Sequence, residues 1–192
     1  MKISGLLNTH RDTIRKNLST SDAQWNSMMS KIEQREQREQ SIAAEKIWTF
    51  LVACGYALNG SEGVTRLSKL LSGVQLTTPG TQRIWFESQA IGPRDPKSEG
   101  KTRIDLALGM IRQMGTTDSG IELATSKPGE ICFCEMKWDT DISSGVRYDS
   151  TRNQLARDIE NAVCFQSAGR FAKKVYFTVV TPRNFEVFVP SY

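Results

Sequence analysis

The sequence predicts an α/β fold: a central mixed sheet of four to five strands flanked by helices, with a helical extension at the N-terminus. Three observations carry this. Apolar residues recur at helical spacing from Trp25 to Leu71, the period becomes strand-like beyond residues 77–80, and a helical stripe over 155–163 precedes a β-branched run at 173–181. Residues 1–40 are therefore assigned to an N-terminal arm and helical extension, and residues 41–192 to the α/β domain.

Residues 1–20 read as an arm or a short first helix. Ser21 or Asp22 suits an N-cap, and Trp25, Met28, Met29 and Ile32 follow at helical spacing. The run Glu-Gln-Arg-Glu-Gln-Arg-Glu-Gln at 33–40 is polar on every face, with mixed charges at i, i+3 and i+4. It predicts a helix that is solvated or that pairs with another chain. Ile42, Ala43, Ile47, Trp48, Phe50, Leu51 and Cys54 predict a well-buried helix that stops near Gly55, with Trp48 in the core. After a turn at Asn59, Gly60, Ser61 and Gly63, the residues Val64, Leu67, Leu70 and Leu71 predict a shorter helix ending at Gly73.

Residues 82–88 read as a first strand, followed over 92–101 by a loop rich in Gly, Pro and charge. Residues 102–110 alternate cleanly as a second strand, with Ile104, Leu106, Leu108 and Met110 on one face and Arg103, Asp105, Ala107 and Gly109 on the other. A polar connection is expected over 113–128, then a third strand in the stretch 129–139. A loop at 140–145 leads to a helix from about Arg147 or Ser150 to Ser167, whose apolar stripe is Leu155, Ile159, Ala162, Val163 and Phe165. The run 173–181 predicts a central fourth strand, and 185–189 a fifth ending at Pro190.

A chain of 192 residues with 39% hydrophobic content is long enough to bury a real core. The net charge of +4 permits a polyanionic partner without demanding one. Cys54, Cys132, Cys134 and Cys164 lie in apolar runs without a Cys-x-x-Cys spacing, which predicts buried free thiols in a reducing compartment. No apolar run approaches the ~18 residues of a membrane span, and residues 1–18 lack a signal peptide's continuous apolar core. A cytoplasmic protein without membrane partners is expected. His10 is the only histidine and sits in a polar segment, which argues against histidine-based nucleases, triad hydrolases and histidine-rich zinc sites. No Gly-x-Gly-x-x-Gly or Walker-type loop follows a strand, which counts against an unrelated sugar or nucleotide enzyme.

The stretch 129–139 carries the chemistry. Ile131, Cys132, Phe133 and Cys134 are apolar enough for a central strand, yet the run ends in an acid and a base, Glu135 and Lys137. Side chains at i and i+2 of a strand share a face, and a rise of roughly 3.3 Å per residue sets their Cβ atoms about 7 Å apart. Both heads can converge on one ligand the size of a metal-bound phosphate. The structural alternative is a solvated strand end carrying an ion pair.

An acid on the second strand, an acid-x-lysine pair on the third and a polar-headed helix after it resemble the PD-(D/E)XK nuclease superfamily, the restriction-endonuclease-like fold. The resemblance covers about 42–180. It implies that Asp105 in Arg-Ile-Asp-Leu-Ala-Leu is the family's aspartate and that Glu135 and Lys137 in Cys-Glu-Met-Lys are its Glu-x-Lys element. Glu45, on the helix before the sheet, matches the acid that some members use as a further metal ligand, and Gln154, with Arg152, lies where some carry a glutamine or a basic residue near the site. Ile104 stands where the nominal proline would be, and the connection between the acid strands is long.

Hydrolysis of a phosphodiester requires neutralised nonbridging oxygens, an activated in-line water and a stabilised leaving oxygen. Two carboxylates from adjacent strands can hold a Mg²⁺ that keeps several waters, with Mn²⁺ as a substitute. Asp105 and Glu135 are the expected ligands, the main-chain carbonyl of Met136 a third, and Glu45 an extra ligand if two metals bind. Lys137 would orient the attacking water or stabilise phosphate charge. Arg94, Lys97, Lys101 and Arg103 before the acid, and Arg147, Arg152 and Arg157 after the Glu-x-Lys pair, could hold a phosphate backbone. The expectation is a metal-dependent DNA endonuclease, with the polar helix at 30–41 offering a homodimer contact. The alternative is a noncatalytic module of the same fold that binds nucleic acid or protein.

Overall fold

The computed structural model describes residues 2–42, 44–76, 82–90, 103–114, 120–124, 129–138, 153–167 and 169–182. The expected fifth strand at 185–189, the charged loop at 92–101 and the start of the helix expected from Arg147 or Ser150 lie outside them.

Five helices come first: α1 (Ile3–Thr9), α2 (Arg11–Asn17), α3 (Asp22–Gln37), α4 (Glu45–Leu58) and α5 (Gly60–Ser72), with the two-residue β1 (Leu18–Ser19) between α2 and α3. Then follow β2 (Ile84–Ala90), β3 (Ile104–Gly109), β4 (Ile111–Gln113), β5 (Gly120–Leu123), β6 (Glu130–Met136), α6 (Gln154–Val163), β7 (Gln166–Ser167), β8 (Arg170–Phe171) and β9 (Lys174–Val180). Seven strands form one mixed open sheet in the order β4-β5-β2-β3-β6-β9, with β1 pairing beside β2. The contacts β2–β3 and β3–β6 are antiparallel, whereas β6–β9 and β2–β5 are parallel. Among the described residues no helix is long and apolar enough to cross a membrane.

The sheet is buried on both faces. One apolar cluster joins Leu7, Ile14, Trp25, Met28, Ile32, Phe50, Val64 and Leu67 of the first five helices to Phe86, Leu106, Leu108, Cys132 and Cys134 of the sheet. A second joins Trp85, Ala107, Ile131 and Phe133 to Ala162 and Phe165 at the end of α6. Every residue of β6 is buried as a result. That explains its unbroken apolar run, since a strand covered on both sides has no solvent face to mark with polar residues. Residues 1–40 share the first core with the sheet: Ser21 caps α3 in a reciprocal box with Gln24, and the carboxylate of Glu36 accepts from Ser4 N–H at 3.1 Å, tying α3 to α1.

Several expectations are corrected. α4 runs past Gly55 to Leu58, because a glycine in ordinary helical conformation weakens a helix without ending it; the stop comes at Asn59 and Gly60, where φ reaches +67°. The connection expected over 113–128 contains β5, in which Gly120, Ile121 and Leu123 are buried. Apart from the half-buried Asp105, β3 is buried on both faces, since Ala107 and Gly109 are as buried as Leu106 and Leu108. Among the described residues β9 pairs only with β6, and none of its residues is fully buried. All four cysteines are free thiols, and Cys164 alone is partly exposed.

One glycine is required by the close approach of β3 to β6. Gly109 sits at φ +109°, and a Cβ there would lie 2.2 Å from the Glu130 carbonyl oxygen and 2.8 Å from Ile131 Cα, both main-chain atoms that cannot turn aside. Gly109→Ala is expected to destabilise the fold by more than about 1 kcal/mol, read as a lowered denaturation midpoint with an unchanged slope.

Candidate active site

The acid pair follows from strand register. Leu106 stands opposite Cys134 in the antiparallel β3–β6 ladder, so one further step brings Asp105 opposite Glu135. Opposed residues in such a ladder project from the same face. The Met136 N–H donates to Asp105 Oδ2 at 2.8 Å, which ties the aspartate to the strand end. A residue's N–H and C=O leave an extended strand on the same edge, so the Met136 carbonyl also faces the β3 side.

The extended chain continues one residue past β6, because Lys137 N–H donates to the Val180 carbonyl of β9 at 2.8 Å. Glu135 and Lys137 thus share a face, and Lys137 Nζ lies 2.9 Å from Glu135 Oε1. Two helices close around this ammonium group. Glu45, the first residue of α4, places Oε1 at 3.5 Å from Lys137 Nζ and accepts the Trp138 N–H on Oε2 at 3.1 Å. Gln154, the first residue of α6, accepts from Lys137 Nζ at 3.3 Å and donates to Glu135 Oε1 at 2.6 Å. Its position is set by Asn153, whose side chain caps the helix by accepting from Ala156 N–H at 2.8 Å. The five residues expected at the site, Glu45, Asp105, Glu135, Lys137 and Gln154, are therefore together.

Burial makes the electrostatics severe. Glu135 is 4% exposed and Lys137 8%. Burial first, and then the charge of Glu135, push Asp105 up to about 8 against the Met136 N–H, with Glu87 and Glu45 adding to the rise. Burial likewise raises Glu135, opposed by the hydrogen bond and charge of Lys137. For Lys137, burial works to lower the pKa, but Glu135, Glu45 and Asp105 outweigh it and hold the group as an ammonium. One buried cation thus faces more carboxylate than it can neutralise.

Among the described residues no three His, Cys, Asp or Glu side chains converge into a ready-made metal nest. The donors on the Asp105 side are two carboxylates and a strand carbonyl, all hard oxygen. Both contacts made by Glu135 fall on Oε1. Such a set suits an ion that keeps much of its water shell, as Mg²⁺ does, and not an all-protein cage.

Three features of the site were missed in the sequence. Glu87 lies opposite Asp105, since Phe86 pairs with Leu106 and Ser88 with Ile104, so Glu87, Asp105 and Glu135 form a row across three strands. Its φ of +48° is unusual for a residue with a Cβ. The second is the inward face of α6. Asp158 and Asn161 are buried there with no hydrogen-bond partner among the described residues for their side-chain oxygens or the amide nitrogen, while Ile159 and Val163 of the expected apolar stripe are 40% and 60% exposed. Gln154, Asp158 and Asn161 recur at i, i+4 and i+7, so anchoring Gln154 on Glu135 turns this polar stripe inward. Burial first, and then the charge of Glu135, push Asp158 up to about 7 against Arg157 and Lys137. The third is Trp48, expected in the core but 40% exposed, with its ring 5.1 Å from that of Trp138 beside Glu45 and Lys137.

Trp85 is a core residue of the second cluster, and His10 is the junction between α1 and α2. Of the basic residues expected at the site, Arg103 pairs with Glu87 at 3.7 Å and Arg157 lies on α6 beside Asp158. Arg94, Lys97, Lys101, Arg147 and Arg152 lie outside the described residues. The chain matches no protein-family model, no curated protein and no solved structure.

The raised carboxyls give a pH dependence of definite sign. An acid whose folded pKa lies above its unfolded value binds its proton more tightly when folded, so it stabilises at low pH and that contribution is lost as pH rises toward the folded pKa. For Asp105 the window runs from an ordinary 3.8 to about 8, with Asp158 acting in the same direction up to about 7. The metal-free thermal midpoint is expected to fall between pH 5 and 8, and Asp105→Asn to flatten that fall, as measured by a melting series across buffers.

Proposed function

We propose that this chain is a divalent-metal-dependent nuclease of the PD-(D/E)XK kind that hydrolyses phosphodiester bonds in DNA, acting as an endonuclease. The observation that supports it most is the placement of Asp105 opposite Glu135 on neighbouring strands with Lys137 on the same face as Glu135. An α/β sheet covered by α1–α5 on one face and α6 on the other, with this cluster at one strand end, is consistent with that reading.

In this reading Asp105, Glu135 and the Met136 carbonyl hold Mg²⁺, or Mn²⁺ in its place, with Glu45 in reach of a second ion. When bound, the ion polarises the phosphoryl oxygens and lowers the pKa of water. The acid row would favour a cation there: Asp105 is pushed up to about 8 by burial and by Glu135, and positive charge held between the two carboxylates would offset their repulsion. Lys137, held as an ammonium by Glu135, is placed to hydrogen-bond the attacking water or a nonbridging phosphate oxygen. Gln154 spans Glu135 and Lys137, and so keeps the carboxylate and the ammonium in one fixed relation. The buried strand behind them excludes bulk water, which strengthens each of these charges.

The test is cleavage of supercoiled plasmid and of linear DNA with Mg²⁺, with Mn²⁺ and with chelator. Cleavage is expected only with metal. Asp105→Ala and Lys137→Ala are each expected to lower the rate at least 100-fold, whereas Gln154→Ala, which removes a positioning contact, lowers it less. Unchanged cleavage in Asp105→Ala or Lys137→Ala would sink the mechanism. DNA binding without cleavage under any metal, together with a silent calorimetric titration of Mg²⁺, would favour the noncatalytic module instead.

A further inference from the structure

A second cavity opens where α3 and α4 meet β2 and Arg103. It has a volume of about 260 Å³ and is lined by Lys31 and Gln24 of α3, Lys46 of α4, Phe86 of β2 and Arg103. The buried carboxylate of Glu87 reaches its edge, 2.7 Å from Lys46 Nζ and 3.7 Å from Arg103. Lys46 and Arg103 pair with this acid, and Lys31 brings a third cation to the same cavity.

Glu87 is fixed there at a cost. Its left-handed backbone, φ +48°, interrupts an otherwise regular strand, and the Gln24 amide that helps to cap α3 donates to its carbonyl at 3.1 Å. Backbone strain of this kind persists where the surroundings over-determine it and clusters at ligand sites. Here its effect is to hold Lys46 and Arg103 at the mouth of the cavity.

Position indicates the ligand. Lys46 follows Glu45, Arg103 precedes Asp105 by two residues, and Glu87 lies opposite Asp105 in the ladder. The cavity is smaller than the roughly 300–1,000 Å³ of drug-sized ligand sites, so it suits one phosphate and not a whole nucleotide. We infer that Lys31, Lys46 and Arg103 form a phosphate subsite, which holds the phosphate next to the one that is cut. This rests on the nuclease reading for its neighbour but not for its own anion chemistry.

The test uses the full chain in chelator, so that cleavage cannot interfere, with a fluorescently labelled single-stranded DNA oligonucleotide titrated across a sodium chloride series. The charge-removing variant K31M/K46M/R103M is expected to lose at least tenfold in affinity at low salt. Its log–log salt slope should be shallower by roughly two to three, whereas K31R/K46R/R103K stays within about twofold of the parent. Equal affinity and slope in the charge-removing variant would overturn the subsite. So would equal impairment of the charge-preserving variant, because that would mark a packing role. Inorganic phosphate, followed by calorimetry on parent and charge-removing chains, separates the sources: phosphate binding lost in the variant while DNA binding is unchanged would assign the cavity to a free phosphate and overturn the nucleic-acid form. Plasmid cleavage is read separately, so a chain that binds DNA through these cations but never cuts sinks the nuclease reading alone.

Discussion

A single buried ammonium group joins three elements of this protein. Lys137 Nζ touches Glu135 on its own strand, Glu45 at the start of α4 and Gln154 at the start of α6. α4 and α6 belong to opposite layers, packed against different faces of the sheet. Their N-terminal ends are thus pinned to the same strand end by one side chain. Removal of the lysine would leave Glu135 buried and uncompensated, which is far costlier than losing an exposed pair. Both helices share this polar anchor in addition to their apolar contacts with the sheet.

The same end of the sheet gathers several unfavourable features. Glu87, Asp105 and Glu135 stand in a row on adjacent strands, Asp158 and Asn161 are buried without partners among the described residues, and Glu87 has a strained backbone. Like charges opposed on neighbouring strands destabilise a sheet, and unpaired buried polar groups destabilise any core. The opposite end of the same strands is ordinary packing: Ile131 against Gly109, and Phe133 edge-on to Phe165 at 5.2 Å. A concentration of such conflict beside a well-packed core is the pattern of a site held in place by its scaffold.

Much of this was legible in the residues. The switch from helical to alternating periodicity separated the helical half from the sheet, and the i, i+2 spacing of Glu135 and Lys137 placed both on one face. What misled was periodicity with two readings. In α6 the expected apolar stripe is split: Ala162, with Phe165 just beyond the helix, enters the core, whereas Ile159 and Val163 are exposed and Asp158 and Asn161 are buried in their place. Trp48 fits the apolar face of α4, yet its ring leaves the core to meet Trp138. β5 has four residues, too few for alternation to stand out from a loop.

The sequence by itself determined the layers, the buried strand β6 and the meeting of an acid and a lysine at its end, because these depend on spacing along one chain segment. Only the tertiary structure decided that Asp105 faces Glu135, that Glu87 completes the row, and that Lys31, Lys46 and Arg103 share a cavity. Those relations are set by strand register and helix rotation. A one-residue slip in register would turn every side chain to the other face, and no local pattern in β2 or β3 counts residues across to β6.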